Sequence, residues 1–75
     1  MAVPLFLVAP DASVGWRVSH ENAAESHSFL DKRLAIRYAR EWADANRPSR
    51  VLVRDKHGGT EASWEYPPLF PDGRP

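Results

Sequence analysis

Residues 29–46 read FLDKRLAIRYAREWADAN, and this stretch decides the fold. At about 100° per residue, Ala35, Ile36, Ala39, Trp42 and Ala43 fall in one stripe, with Tyr38 on its margin. Arg33, Arg37, Arg40 and Asp44 fall on the opposite side. The pattern predicts one amphipathic helix. Asp31 is the expected N-cap, since its carboxylate can accept from the amides two or three residues on. Asn46-Arg47-Pro48 ends the helix, because the residue before a proline is pushed out of the α region. Three alanines on the inward side let the helix lie close to whatever it covers, with Ile36 and Trp42 filling the space around them. On the outer side, Arg37 with Glu41 and Arg40 with Asp44 are spaced to pair at i,i+4, each pair worth about 0.3 kcal/mol.

Strand signals lie on both sides of the helix. Residues 3–9 are a short apolar run closed by Pro10-Asp11, and Pro4, which has no amide to donate, belongs near a strand start or on an edge. Residues 14–20 alternate, with Val14, Trp16 and Val18 on one face and Gly15, Arg17 and Ser19 on the other. The two make a hairpin through Asp11-Ala12-Ser13, and the polar residues 21–28 read as loop. Beyond the helix, residues 50–55 read as a buried strand and residues 60–66 as an alternating one, with Ala62, Trp64 and Tyr66 inward and Glu61, Ser63 and Glu65 outward. Gly58 and Gly59 supply the turn between them. The expectation is an α+β fold in the order β-β-α-β-β: one four-stranded sheet, antiparallel or mixed, with a single helix packed on one face. If the second and third strands are neighbours they run parallel across the helix. The other sheet face is left bare, and Leu52 on it is exposed unless the tail or a partner covers it. Residues 1–66 form the domain, and residues 67–75, rich in proline, form a tail.

Totals narrow the function classes. A domain of 75 residues with no cysteine has a small core and no disulfide to support it, so stability rests on packing around Trp16, Trp42, Trp64, Phe6 and Phe29, or on dimerisation. Ten basic and ten acidic residues leave no net charge, which argues against a protein built to bind nucleic acid through phosphates. The charge is unevenly spread, however. Residues 31–50 carry a net +3, against −2 before them and −1 after. The apolar start lacks the charged n-region of a secretory signal, and no run is long enough to span a bilayer. A cytoplasmic protein with no membrane contact is expected.

No catalytic constellation emerges. His20, His27 and His57 lack the spacing of a zinc site and read as solvated or locally bonded. None of the serines sits in a strand-to-helix elbow, Glu61 and Glu65 flank Ser63 on a solvent face, and the glycines after His57 connect strands rather than opening a phosphate-binding helix. Two surfaces remain as candidates for binding. Arg33, Arg37 and Arg40, with Arg47 nearby, could contact phosphates of a nucleic acid. Leu52, with Leu69 and Phe70 of the tail, could contact a protein partner or a second copy.

Gly15-Trp16-Arg17-Val18, then Ala35, Ala39-Arg40 and Ala43, then Val51-Leu52-Val53 with Asp55 and Gly58, carry a resemblance. In these residues the chain resembles the small bacterial family called domain of unknown function 2188, whose pattern joins W-x-V in a strand to A-x-x-x-A-R-x-x-A in a helix and D-G in a later turn. The turn is stretched here to Asp55-Lys56-His57-Gly58-Gly59, and the proline-rich tail is additional. The resemblance implies the β-β-α-β-β order and brings neither an activity nor a cofactor. The functional expectation is therefore a non-enzymatic interaction module, with a homodimer as one form of it. The alternative is a nucleic-acid-binding module that uses the arginine side of the helix.

Overall fold

The computed structural model describes residues 3–13, 15–21 and 25–68. In chain order come β1 (Leu5–Asp11), β2 (Gly15–His20), β3 (Ser26–Phe29), α1 (Lys32–Ala45), β4 (Ser49–Arg54) and β5 (Thr60–Tyr66). They form one mixed sheet of five strands, ordered β3-β2-β1-β4-β5, with α1 on one face. The sheet therefore has five strands where the sequence predicts four. The added strand comes from the stretch expected to be loop. Ser-His-Ser-Phe hides its alternation behind polar side chains, yet it pairs antiparallel with β2, setting Val18 against His27 and Trp16 against Phe29. Strand formation thus rests on two half-buried rings on the helix side, with the serines turned to water.

The parallel neighbours also differ from the conditional expectation. α1 carries the chain from one edge back to the centre, where β4 pairs parallel with β1 rather than with β2. The register sets Phe6 against Val51 and Val8 against Val53, so a continuous apolar patch faces the helix. Phe6, Val8, Val18, Val51 and Val53 from the sheet meet Ala35, Ala39 and Ala43 from the helix, all buried. Each fully buried Val or Phe stabilises the fold by about 1.5–3 kcal/mol. The three alanines bring the helix close, so the centre holds mostly small side chains. Of the five aromatics expected to form the core only Phe6 is fully buried. Trp16, Phe29, Trp42 and Trp64 ring its margin, as large rings commonly do.

Both helix ends are tied down by local chemistry. Asp31 caps α1 by accepting from the Arg33 amide at 2.9 Å. At the far end Ser49, 1 % exposed, donates its hydroxyl to the Ala43 carbonyl at 2.6 Å and fastens the last helical turn to the start of β4. Gly15 opens β2 at φ +100, where a Cβ would stand 3.1 Å from the Phe29 carbonyl, so this position takes no larger residue without strain. No helix among the described residues is long and apolar enough to cross a membrane.

A candidate anion-binding groove between the helix and the edge strand

α1 packs chiefly on β2, β1 and β4 and touches β5 least. The reason lies in the side chains on its two flanks. Toward β2 and β3 it projects Tyr38 and Trp42, which fill the angle between helix and sheet. Toward β5 it projects Ile36 and the arginines Arg33, Arg37 and Arg40, of which Arg33 and Arg37 are exposed. A groove of about 580 Å³ remains on this flank. Arg33, Arg37, Arg40 and Arg47 all line it, together with Ile36, Tyr66, Glu41 and Asp44. The four arginines singled out in the sequence are thus brought together in one place.

Two of them are held in fixed positions. The Arg40 guanidinium lies 4.7 Å from the centre of the Trp64 ring, and its Nε donates to the Tyr66 hydroxyl at 2.8 Å. The Arg47 guanidinium lies 5.2 Å from the Tyr66 ring centre, donates from Nε to Asp44 Oδ1 at 2.7 Å, and donates from Nη1 to the Pro67 carbonyl at 3.2 Å. Each stacking contact contributes about 0.5–1 kcal/mol at an exposed site. The expected pairing of Arg40 with Asp44 does not form: Arg40 turns inward to Trp64 and Tyr66, and Arg47 takes the Asp44 carboxylate instead. Arg37 does meet Glu41, at 3.7 Å and largely in solvent, where such a pair is worth little. Arg33 has no ion-pair partner among the described residues.

Lys32, which does not line the groove, ties the start of the helix to the sheet. It lies 5.3 Å from the centre of the Trp16 ring and contacts the Glu61 carboxylate. Sequence alternation puts Glu61 outward. A register shift at Val53/Arg54 pairs Arg54 with Thr60 and Val53 with Ala62, leaving Glu61 as the extra residue of a bulge and turning it toward the helix.

No described helix or strand covers the opposite face of the sheet. Alternation from the buried Phe6, Val8, Val51 and Val53 places Leu5, Leu7 and Leu52 there, with Leu7 beside Leu52 in the two central strands. Leu52, expected to be exposed, is half-buried. Arg50 Nε lies 3.7 Å from Glu65 Oε1 across the rim of this face. Leu69 and Phe70, the other expected protein contacts, lie outside the described residues. The exposed large apolar side chains among the described residues are instead Leu30 and Leu34, at 90 % and 52 % exposure around the start of α1, and Val3 at 40 %.

The histidines divide. His57 stays in its turn, its amide donating to Asp55 at 2.8 Å. His20 and His27 are not solvated loop residues. His20 lies 4.6 Å from the Phe6 ring, and His27 lies 4.8 Å from Tyr38 and 5.4 Å from Trp42. His27 Nε2 is shielded, makes no hydrogen bond among the described residues, and sits 3.4 Å from Glu25 Oε2. Among the described residues the strongly displaced carboxyl is that of Asp11, at the end of β1. It is lowered from 3.8 to about 2, first by the Ser13 hydroxyl, then by the Ser13 amide and Arg17, all donating to it.

A mixed five-stranded sheet with one helix and a groove lined by four arginines, with no group of three His, Cys, Asp or Glu placed to hold a metal among the described residues, defines a small α+β domain. The chain belongs to the bacterial family described as "Uncharacterized protein conserved in bacteria (DUF2188)", whose model matches residues 6–66. No curated protein and no solved structure matches the chain. The helix positions that carry the family pattern, Ala35, Ala39 and Ala43, are the three buried ones, so that part of the pattern records packing.

Proposed function

We propose that this domain is a non-enzymatic interaction module that receives an anionic segment of a partner in the groove between α1 and β5. The observation that carries the reading is the convergence of Arg33, Arg37, Arg40 and Arg47 on one groove. Arg40 and Arg47 are oriented in advance by Trp64 and Tyr66, which reduces the side-chain ordering that binding would otherwise cost. Arg33 and Arg37 remain largely in solvent and available to a ligand. A cytoplasmic setting suits the reading, because a chain with no cysteine needs no oxidising compartment. The test is titration of the full chain with two polyanions, oligothymidine and polyglutamate, at about 50 mM salt, where charge-driven binding is strong. Saturable binding of either one, weakened in Arg33→Ala/Arg37→Ala, is expected. Failure of both to bind sinks the reading.

A second reading is carried by the bare sheet face, where Leu7 and Leu52 lie side by side in the two central strands. It makes the domain a homodimer joined face to face, with Arg50 and Glu65 of each copy on the rim. Light scattering at high micromolar concentration decides it. A monomer that stays monomeric, and does not change when Leu52 is replaced by Lys, removes this reading and leaves the groove untouched.

A further inference from the structure

The groove does not stand alone, because it runs beside an unpaired strand edge. Among the described residues β5 is the last strand of the sheet and pairs only with β4, so no described strand bonds the backbone groups on its other side. The helix and this strand also run in the same direction. Lys32 at the helix start meets Glu61 at the strand start, Arg40 meets Trp64 and Tyr66 further along, and Arg47 meets Tyr66 and Pro67 at the end. The arginine row is therefore laid parallel to the open edge. The bulge at Glu61 and the prolines Pro67-Pro68 bound the edge at its two ends, leaving a regular stretch from Ala62 to Tyr66.

Spacing and chemistry then select the occupant. A strand added to this edge would turn every second side chain to the helix side, at intervals of about 6.6–6.8 Å. Along α1 the step from Arg33 to Arg37 is about 6 Å. Carboxylates at alternate positions of an added strand thus match the Arg33–Arg37 step, whereas Arg37 to Arg40 is only about 4.5 Å. A single-stranded nucleic acid fits less well. Such ligands are held by bases stacked on aromatic rings, and here the rings of Trp64 and Tyr66 are already covered by the guanidiniums of Arg40 and Arg47. A phosphodiester chain, charged at every residue, would also meet Glu41 and Asp44, which line the groove too. A peptide can space its charges to avoid them. The other sheet edge offers no equivalent: β3 spans only Ser26–Phe29 and faces the aromatic flank of the helix.

We infer that the edge of β5 and the adjoining groove receive an extended acidic peptide from a partner protein, which joins the sheet as a sixth strand with carboxylates at alternate positions facing Arg33 and Arg37. The main chain supplies binding and the alternation supplies selectivity, as in other cases of strand addition. The inference rests on the groove reading above and narrows it.

The experiment uses the isotope-labelled full chain and three probes: a short capped peptide in which Glu alternates with Val, a peptide of the same composition with its Glu residues in one block, and oligothymidine. The alternating peptide is expected to saturate, to slow hydrogen exchange at the β5 amides that face away from β4, and to bind more tightly than the blocked peptide. Arg33→Ala/Arg37→Ala should weaken it roughly five- to tenfold. Two N-methylated versions, one for each set of alternate amides, separate strand addition from simple charge attraction. Methylation on the edge-facing set should abolish binding, and methylation on the other set should leave it. If both versions bind like the parent, no strand is added and the inference falls. If oligothymidine binds and the alternating peptide does not, the inference falls while the groove reading stands. If no probe binds, both fall.

Discussion

One helix presents two unlike flanks to the same sheet. On the flank over β2 and β3, Trp42 reaches Phe6 at 4.8 Å, His27 at 5.4 Å and Tyr38 at 5.6 Å, and Phe29 closes on Tyr38 at 5.3 Å. On the flank over β5, arginine stems and two covered rings leave an open groove. The contrast separates two jobs in a molecule too small for much redundancy. The aromatic flank extends a core whose centre is mostly Ala and Val. The arginine flank adds little burial and keeps Arg33 and Arg37 in solvent. Stability should therefore track one side and binding the other.

The sharpest way to break this division is Trp42→Ala. It removes the ring that joins Phe6, His20, His27 and Tyr38, and should destabilise the domain by about 3 kcal/mol in urea unfolding. A loss no larger than that of an arginine variant would show that the aromatic flank is not the supporting one. Ser49→Ala comes next, at about 1 kcal/mol, because it deletes a buried hydroxyl that donates to Ala43 at the point where both flanks end. Arg40→Ala should cost about 0.5–1 kcal/mol, through its contacts with Trp64 and Tyr66, and places Arg40 between the two roles. Arg33→Ala/Arg37→Ala should stay within about 0.5 kcal/mol of the parent while losing ligand, the reverse of the Trp42 outcome.

The smallest effect lies away from both flanks. Asp11 sits near 2 in the folded chain, below its ordinary 3.8, because the carboxylate accepts from Ser13 and Arg17. Its folded value is depressed, so its contribution to stability is present above 3.8 and is lost as pH falls through the window down to about 2. Asp11→Asn should flatten the fall in melting temperature across that window and leave neutral-pH binding by the groove unchanged.

Much of the fold was legible in the sequence because it depends on local pattern. The alanine stripe, the Asp31 cap and the alternation of Ala62, Trp64 and Tyr66 each state their own geometry. β3 escaped because Ser26 and Ser28 give a polar composition, and its two ring-bearing positions acquire meaning only beside Val18 and Trp16. The residues of the groove were legible and its construction was not. Stacking of Arg40 on Trp64 and of Arg47 on Tyr66 joins positions far apart in the chain, and no spacing rule reports it. Glu61 was misplaced for a related reason: a bulge breaks the period of two on which the reading of a strand depends. Ser49 lay outside the strand expected over residues 50–55, and its bond to the Ala43 carbonyl exists only once the last helical turn meets β4.

The parallel pairing of β1 with β4 sets the order in which the molecule can assemble. Leu5 finds its partner only at Arg50, after two strands and the whole helix have been made. Until then β1, β2 and β3 form a meander whose Phe6 and Val8 have nothing to close over them, and the helix has no second wall. Contacts this distant in sequence slow folding relative to a purely local arrangement. A nascent chain therefore gains its core in one late step, and a chain cut before β4 should behave as an unfolded segment with a sticky edge rather than as a smaller domain.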